Sequence, residues 1–365
     1  VNLRSVLIGS VSITLVCSGA GCQKTPTPEP LRAEDVAPED VRAAVMENDQ
    51  VRLDAMIQAG VDLPALATES ESLHLAVAEG KVEMVRSLLA SGLDPNHANA
   101  EGITPIAEAL FSRHVEILQI LLESGAKADL LVEGSTPLAW SIALDFPEAV
   151  RLLLQHGADP NLAIPTPAPD RLIEATGDAH FGYYLRREKN VTPLMLAASM
   201  GQLETVQALV EAGANRNAKT ARHNTVALWL AGKNERIEVM QFLLGKDPSP
   251  EGQPQRIEIR LGSQRAVLFR NGEEVMNSPI SSGKKGFATP KGRFVVTNKY
   301  EDWRSTIYEQ ARMPFFMRLS CSDFGLHAGR LPGYPASHGC IRLPPKMARM
   351  FYDVTEIGTL VEITD

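Results

Sequence analysis

Nowhere in this 365-residue chain do lysine and arginine gather into the stripe that nucleic-acid binding calls for, and its 36 Lys+Arg are outnumbered by 44 Asp+Glu. Cysteine is scarce: Cys17, Cys22, Cys321 and Cys340 are all there is. No Cys-x-x-Cys or His-x-x-x-His spacing occurs, which argues against a standard zinc site. No metal, nucleotide or redox cofactor motif is visible, so no cofactor is expected. Long apolar runs are missing too. The one at the N-terminus, Ser5 to Val16, falls short of the roughly 20 residues that a membrane-crossing helix needs.

What is present fits a soluble globular protein, 44% hydrophobic and 22% charged, long enough for two domains with sizeable cores. The net charge of −8 is uneven: residues 1–254 hold 20 Lys+Arg against 33 Asp+Glu, and residues 255–365 hold 16 against 11. An acidic N-terminal part therefore precedes a basic C-terminal part, which bears on partners more than on fold. Arg4, the apolar run and the small residues "CSGAGC" follow the order of an export signal. Small residues before Cys22 and the Pro-rich "QKTPTPEP" after it resemble a bacterial lipoprotein processing site, although Gly19 stands where Leu is usual. The resemblance implies an envelope or periplasmic location and a lipid anchor at Cys22. Residues 1–22 are thus expected to be an export signal and 23–37 a tether.

The middle of the chain repeats. Segments starting at Glu71, Thr104, Thr136, Thr192 and Thr225 share one template, and a degenerate first copy covers about Glu39 to Leu63. The starts are 33, 32, 56 and 33 residues apart, so one interval carries an insertion, around Ile164 to Asn190. A period near 33, with Thr-Pro-Leu opening a short helix and a Leu-Leu helix closing on Gly-Ala-Asp, resembles the ankyrin repeat over residues 38–248. That implies an α-helical solenoid in which each helix pair is covered by the next, and a surface for a protein partner. Gly92, Gly125, Gly157 and Gly213 are expected to end helices in the left-handed conformation. His74, His114 and His156 read as template or surface residues, and Trp140 and Trp229 as packing. The insertion, with Tyr183, Tyr184, Arg186 and Arg187, reads as a plain loop, with a contact loop as the alternative.

After a linker at 249–255 the period changes. Segments 256–261, 265–270 and 293–300 alternate like strands, Asn271-Gly272 is a hairpin turn, 345–354 reads as a helix opened by Pro345, and 359–364 as a last strand. This gives a mostly-β domain over 256–365. Within it, Cys340 sits in "SHGCIRLP" (Ser337 to Pro344), and the domain has two histidines, His327 and His338. Acyl transfer through a thiol needs a thiolate, an imidazole, N–H donors for the oxyanion and a cation for a carboxylate. The loop from His327 to Leu343 holds residues of each kind, with Arg342 as the fork-shaped cation. By residue type alone three readings stay open: a Cys–His site, a Cys321–Cys340 disulfide, and a zinc site using His327, His338 and both thiols.

"ATPKGRFVV" (288–296), "MPFFMRL" (313–319), "GLHAG" (325–329) and "SHGCIRL" (337–343) together resemble the L,D-transpeptidase catalytic domain of the YkuD type. The resemblance implies a β-sandwich-like domain acting on peptidoglycan stem peptides. Its Cys attacks the diaminopimelate–D-alanine bond, D-alanine leaves, and an acceptor amine resolves the thioester into a crosslink. Carried onto this chain, Cys340 is the nucleophile and His327 the base. Ser337 and His338 are supporting residues, Gly339 is part of the oxyanion loop, and Arg342 positions substrate. Two departures from the family pattern, Ala328 in the His-Gly-Thr position and the short loop "RLPGYPA", leave open the group orienting the imidazole, expected as a carbonyl near Arg330 or a side chain. They also leave open the acceptor: a stem peptide, a protein or water. The alternatives are an envelope scaffold that binds peptidoglycan without turnover, or a hydrolase of crosslinks.

Overall fold

Thr104, Thr136 and Thr192 each turn the side-chain oxygen back on the helix they open, accepting from the N–H of Ala107 (3.3 Å), Ala139 (3.1 Å) and Met195 (3.4 Å). The proline that follows each sits where a helix has no use for its N–H, so Thr-Pro works as cap and first turn at once. Gly92, Gly125, Gly157 and Gly213 all have φ between 88° and 95°, as expected for the ends of the second helices. The computed structural model describes residues 31–249, 254–305, 307 and 310–365. The export signal, Cys22 and most of the tether lie outside the described residues.

Helix pairs follow the repeat template: Ser72–Ala78 with Val82–Ala90, Pro105–Phe111 with Val115–Glu123, Pro137–Ala143 with Pro147–Gln155, Pro193–Met200 with Leu203–Glu211, and Ala227–Lys233 with Ile237–Leu243. The degenerate first copy is the pair Pro38–Glu47 and Gln50–Gln58. Trp140 is fully buried, with its indole N–H on Val132 O (2.7 Å), whereas Trp229 is half-buried.

The insertion is not a loop. It forms two helices, Asp170–Ala175 and Ala179–Arg187, the second capped by Asp178, whose carboxylate accepts from His180 N (2.9 Å) and Phe181 N (3.0 Å). Phe181 and Leu185 are buried, and Glu188, fully buried, fastens the insertion to the following repeat through Arg222 N (3.0 Å) and His223 Nδ1 (2.8 Å).

Among the described residues the C-terminal region is one eight-stranded sheet and one helix, Pro345–Val354. The strands are β1 (Gln255–Arg260), β2 (Arg265–Arg270), β3 (Glu273–Pro279), β4 (Gly292–Arg304), β5 (Arg312–Leu319), β6 (Gly325–Ala328), β7 (Ile341–Leu343) and β8 (Leu360–Thr364), in the order β3-β2-β1-β8-β4-β5-β6-β7. Asn271 and Gly272 both have positive φ, 51° and 83°, as the tight turn between β2 and β3 requires. β4 pairs with β8 over Gly292–Val295, then with β5 from Val296 onward across a bulge. Ile257, Leu268 and Val361 from one half of the sheet share a single core with Met317, Leu326 and Ile341 from the other, closed by Phe351 of the helix.

The two regions are not beads on a string. Val295 of β4 and Leu360 of β8 belong to the hydrophobic core of the ankyrin helices, and Cys321 packs against it. Gln241 Nε2 donates to Gly358 O (3.3 Å), and Glu238 pairs with Arg293 (2.9 Å) across the same boundary.

Candidate active site

The side-chain alternation of β6 and β7 places the chemistry. These strands run parallel, with Leu326 beside Ile341, His327 beside Arg342 and Ala328 beside Leu343. Leu326, Ala328, Ile341 and Leu343 point into the core against the helix Pro345–Val354. His327 and Arg342 therefore share the opposite face, and Cys340, two residues before Arg342, joins them there. Diagonal neighbours of this kind lie about 7 Å apart at Cα, close enough for an imidazole to reach a thiol.

His327 is 7% exposed, and its Nδ1 lies 2.8 Å from Ala328 O. A carbonyl only accepts, so Nδ1 carries the proton and Nε2 is left as the lone-pair nitrogen. The group that orients the ring is thus the Ala328 carbonyl, two residues before the position expected near Arg330. Burial, opposed by this hydrogen bond and helped by nearby Arg342, lowers the imidazole to about 4, so it is neutral at pH 7. Burial also raises the Cys340 thiol, against a hydrogen bond from the Gly325 backbone and the charge of Arg342. Both shifts favour the uncharged forms, thiol and imidazole, over thiolate and imidazolium.

The turn before Cys340 is held from several sides. Gly339 has φ 106°, a conformation that favours glycine. Ser337, 1% exposed, accepts from Gly339 N (3.2 Å) and donates to Cys340 O. Thr289 Oγ1 donates to Gly339 O (2.9 Å) and accepts from Gly283 N (2.9 Å). Backbone pairs between Ser281 and Arg342, 3.0 Å in both directions, fix the base of the loop. Tyr334 O accepts from Ser281 Oγ (2.8 Å), which ties the Pro-rich loop down beside it.

Residues 254–363 match the L,D-transpeptidase catalytic domain family, YkuD, and residues 73–164 and 172–252 match ankyrin repeats. The C-terminal region is an L,D-transpeptidase catalytic domain, and ankyrin repeats precede it. The YkuD protein of Bacillus licheniformis is 28% identical over 119 residues, 32% of this chain and 69% of its own length. An ankyrin repeat-containing protein of Schizosaccharomyces pombe is 34% identical over 65 residues, 18% of this chain and 31% of that protein. A solved L,D-transpeptidase from Mycobacterium smegmatis is 22% identical with a TM-score of 0.30, covering 31% of this chain and 60% of that one, less than two thirds of its length.

Within the transpeptidase domain the expected residues divide. Cys340, His327 and Arg342 come together on one face, and Ser337 and Gly339 build the turn that presents the thiol. His338 is exposed at the rim, edge-on to Phe287 with ring centres 4.7 Å apart. Cys321 and Cys340 are both free thiols, and Cys321 is turned to the ankyrin side, its N–H on Thr297 Oγ1 (3.1 Å). Among the described residues no group of three or more His, Cys, Asp or Glu is gathered as a zinc site would require. Sequence reasoning passed over Thr289 and Ser281. Thr289 lies inside the "ATPKG" segment, but nothing local signals a bond to a residue 50 positions away.

Proposed function

We propose that this protein is an exported L,D-transpeptidase of the peptidoglycan layer, with Cys340 as nucleophile and His327 as general base. The observation that carries the reading is the common face of Cys340, His327 and Arg342, with the His327 tautomer set by Ala328 O. Cys340 Sγ attacks the carbonyl of the diaminopimelate–D-alanine bond while its proton passes to His327 Nε2. The carbon–nitrogen bond breaks, and D-alanine leaves as an amine carrying that proton. An acceptor amine then attacks the thioester, gives a proton to His327, and restores the thiol as the crosslink forms. The Gly339 N–H is taken by Ser337 Oγ, so the oxyanion donor in this reading is the Cys340 N–H. Arg342 steadies the substrate's negative charge, and the neutral imidazole is the form a base needs at pH 7.

In the same reading Cys22 carries a lipid anchor in the envelope, and the ankyrin stack binds a protein partner. Intact-mass spectrometry of the reduced full chain with tetrapeptide muropeptides tests the chemistry. The expected result is one acyl adduct on Cys340 with release of D-alanine, and none in a folded Cys340→Ala protein. Turnover retained by Cys340→Ala refutes the assignment. A crosslinked product identifies an amine acceptor, a free tripeptide identifies water, and wall binding with no adduct in the wild type leaves a scaffold.

A further inference from the structure

The strand register extends the face that carries Cys340 across two more strands. On β5, Arg318 pairs with Gly325 of β6, and on its other side with Asn298 of β4. Extended by one residue, the parallel register of β6 and β7 puts Gly325 beside Cys340. One row therefore reads Asn298, Arg318, Gly325, Cys340, and the next reads Tyr300, Phe316, His327, Arg342. Arg318 and Cys340 stand two strand spacings apart, about 10 Å, with a residue that has no side chain between them. Gly325 is obligatory there, because a Cβ would meet Met317 O at 2.0 Å and Phe316 Cε2 at 2.8 Å.

Arg318 is an unusual cation. Its Nε is buried with no hydrogen-bond partner, and no ion pair to its guanidinium is present among the described residues. Aromatic rings frame it instead: Trp303 at 5.3 Å, Tyr300 at 5.9 Å and Phe316 at 6.0 Å from the guanidinium carbon. Those rings pack on one another, Tyr300 on Trp303 at 4.4 Å, and Phe316 lies 6.5 Å from the His327 ring. A desolvated donor without an acceptor costs free energy that a folded protein normally recovers by pairing it. Here the buried Nε has no acceptor among the described residues, and the guanidinium stands on the reactive face.

Resting on the acyl-transfer reading above, we propose that Arg318 is the anchor for a second carboxylate of the acyl donor, the one at the far end of diaminopimelate from the scissile carbonyl. With that carbonyl at Cys340, the carbon chain of the diacid spans the one strand between, β6 at Gly325, and brings its free carboxylate to the aromatic-framed guanidinium. The planar fork suits two parallel N–H···O bonds, which an ammonium group does not reproduce. Arg318 is a specificity residue in this arrangement, and a donor whose far carboxylate is amidated loses its partner.

The test compares D-alanine release by the full chain from a tetrapeptide muropeptide with the far carboxylate free and with it amidated. Wild type is expected to prefer the free acid by about 10- to 100-fold in kcat/KM, chiefly through KM. Arg318→Gln should lose that preference, and Arg318→Lys should keep part of it. Equal losses on both donors, or a wild type that does not distinguish them, overturn the proposal. Should the wild type not turn over at all, the acyl-transfer reading has failed separately. Calorimetric titration of the same two peptides into Cys340→Ala, with and without Arg318→Gln, then decides the inference. Acid-selective binding that vanishes with Arg318 supports it, and equal binding or no binding overturns it.

Discussion

Protonating the buried His327 should cost the native state stability. The ring is 7% exposed, and burial lowers it to about 4 in the native state, against 6.5 in an unfolded chain. The unfolded chain therefore holds the extra proton between those values, and stability rises with pH across that interval. The contribution is complete above pH 6.5 and is lost as pH falls toward 4, amounting to about 3 kcal/mol. Urea unfolding of wild type and His327→Gln at steps from pH 7.5 to 4.5 isolates it. Glutamine can still donate to Ala328 O but does not titrate. The wild-type curve should fall away from the variant's as pH drops, and parallel curves would refute the reasoning.

The same burial bears on reactivity. An ordinary cysteine is about 3% thiolate at pH 7, and Cys340 should be below that because its thiol is raised. In a Cys321→Ser background, alkylation of Cys340 by iodoacetamide should climb more than about 30-fold between pH 7 and its plateau. A plateau already reached near pH 7 would mean a preformed thiolate–imidazolium pair and would sink the neutral-pair description.

Two further changes probe the scaffold. Thr289→Val is nearly isosteric but strands the Gly283 N–H and the Gly339 carbonyl in a buried setting; it should lower stability by about 1–3 kcal/mol and reduce acylation, and Thr289→Ser should restore both in unfolding and adduct assays. A side chain at Gly232 would place Cβ 2.9 Å from Ser320 O, so Gly232→Val should split one unfolding transition into two and destabilise by about 1–3 kcal/mol, read by calorimetry; a single unshifted transition would show that the contact carries no load.

Much of this architecture was legible because it repeats or alternates. Thr-Pro caps and closing glycines announce each ankyrin pair, and Asn271-Gly272 announces the hairpin. The insertion helices were not legible: one is six residues long, and the Asp178 cap that starts the other has no template to align with. β6 and β7, of four and three residues, are too short for a two-residue period to declare itself. They were visible only through the His and Cys motifs they carry. The same limit applies inside the site. Cys340, His327 and Arg342 are marked by local sequence, but Thr289 and Arg318 acquire their positions from strand register and from a hydrogen bond that spans the domain.

The boundary between the two regions explains more than either does alone. A repeat stack needs its last apolar face covered, and here the cover is the catalytic domain itself, through Val295, Leu360 and the turn at Ser320 and Cys321. That turn joins β5 to β6. It is pinned to β4 by Ser320 N donating to Val295 O (2.8 Å) and Val295 N donating to Ser320 Oγ (3.1 Å), and Gly232 of the last repeat lies directly against Ser320 O. The strand that leaves it begins at Gly325, whose backbone meets the Cys340 sulfur, and continues to His327. A shift of the last repeat relative to the sheet is therefore expected to reach the strand that carries His327. For the same reason a C-terminal fragment cut free at the linker would expose Val295 and Leu360.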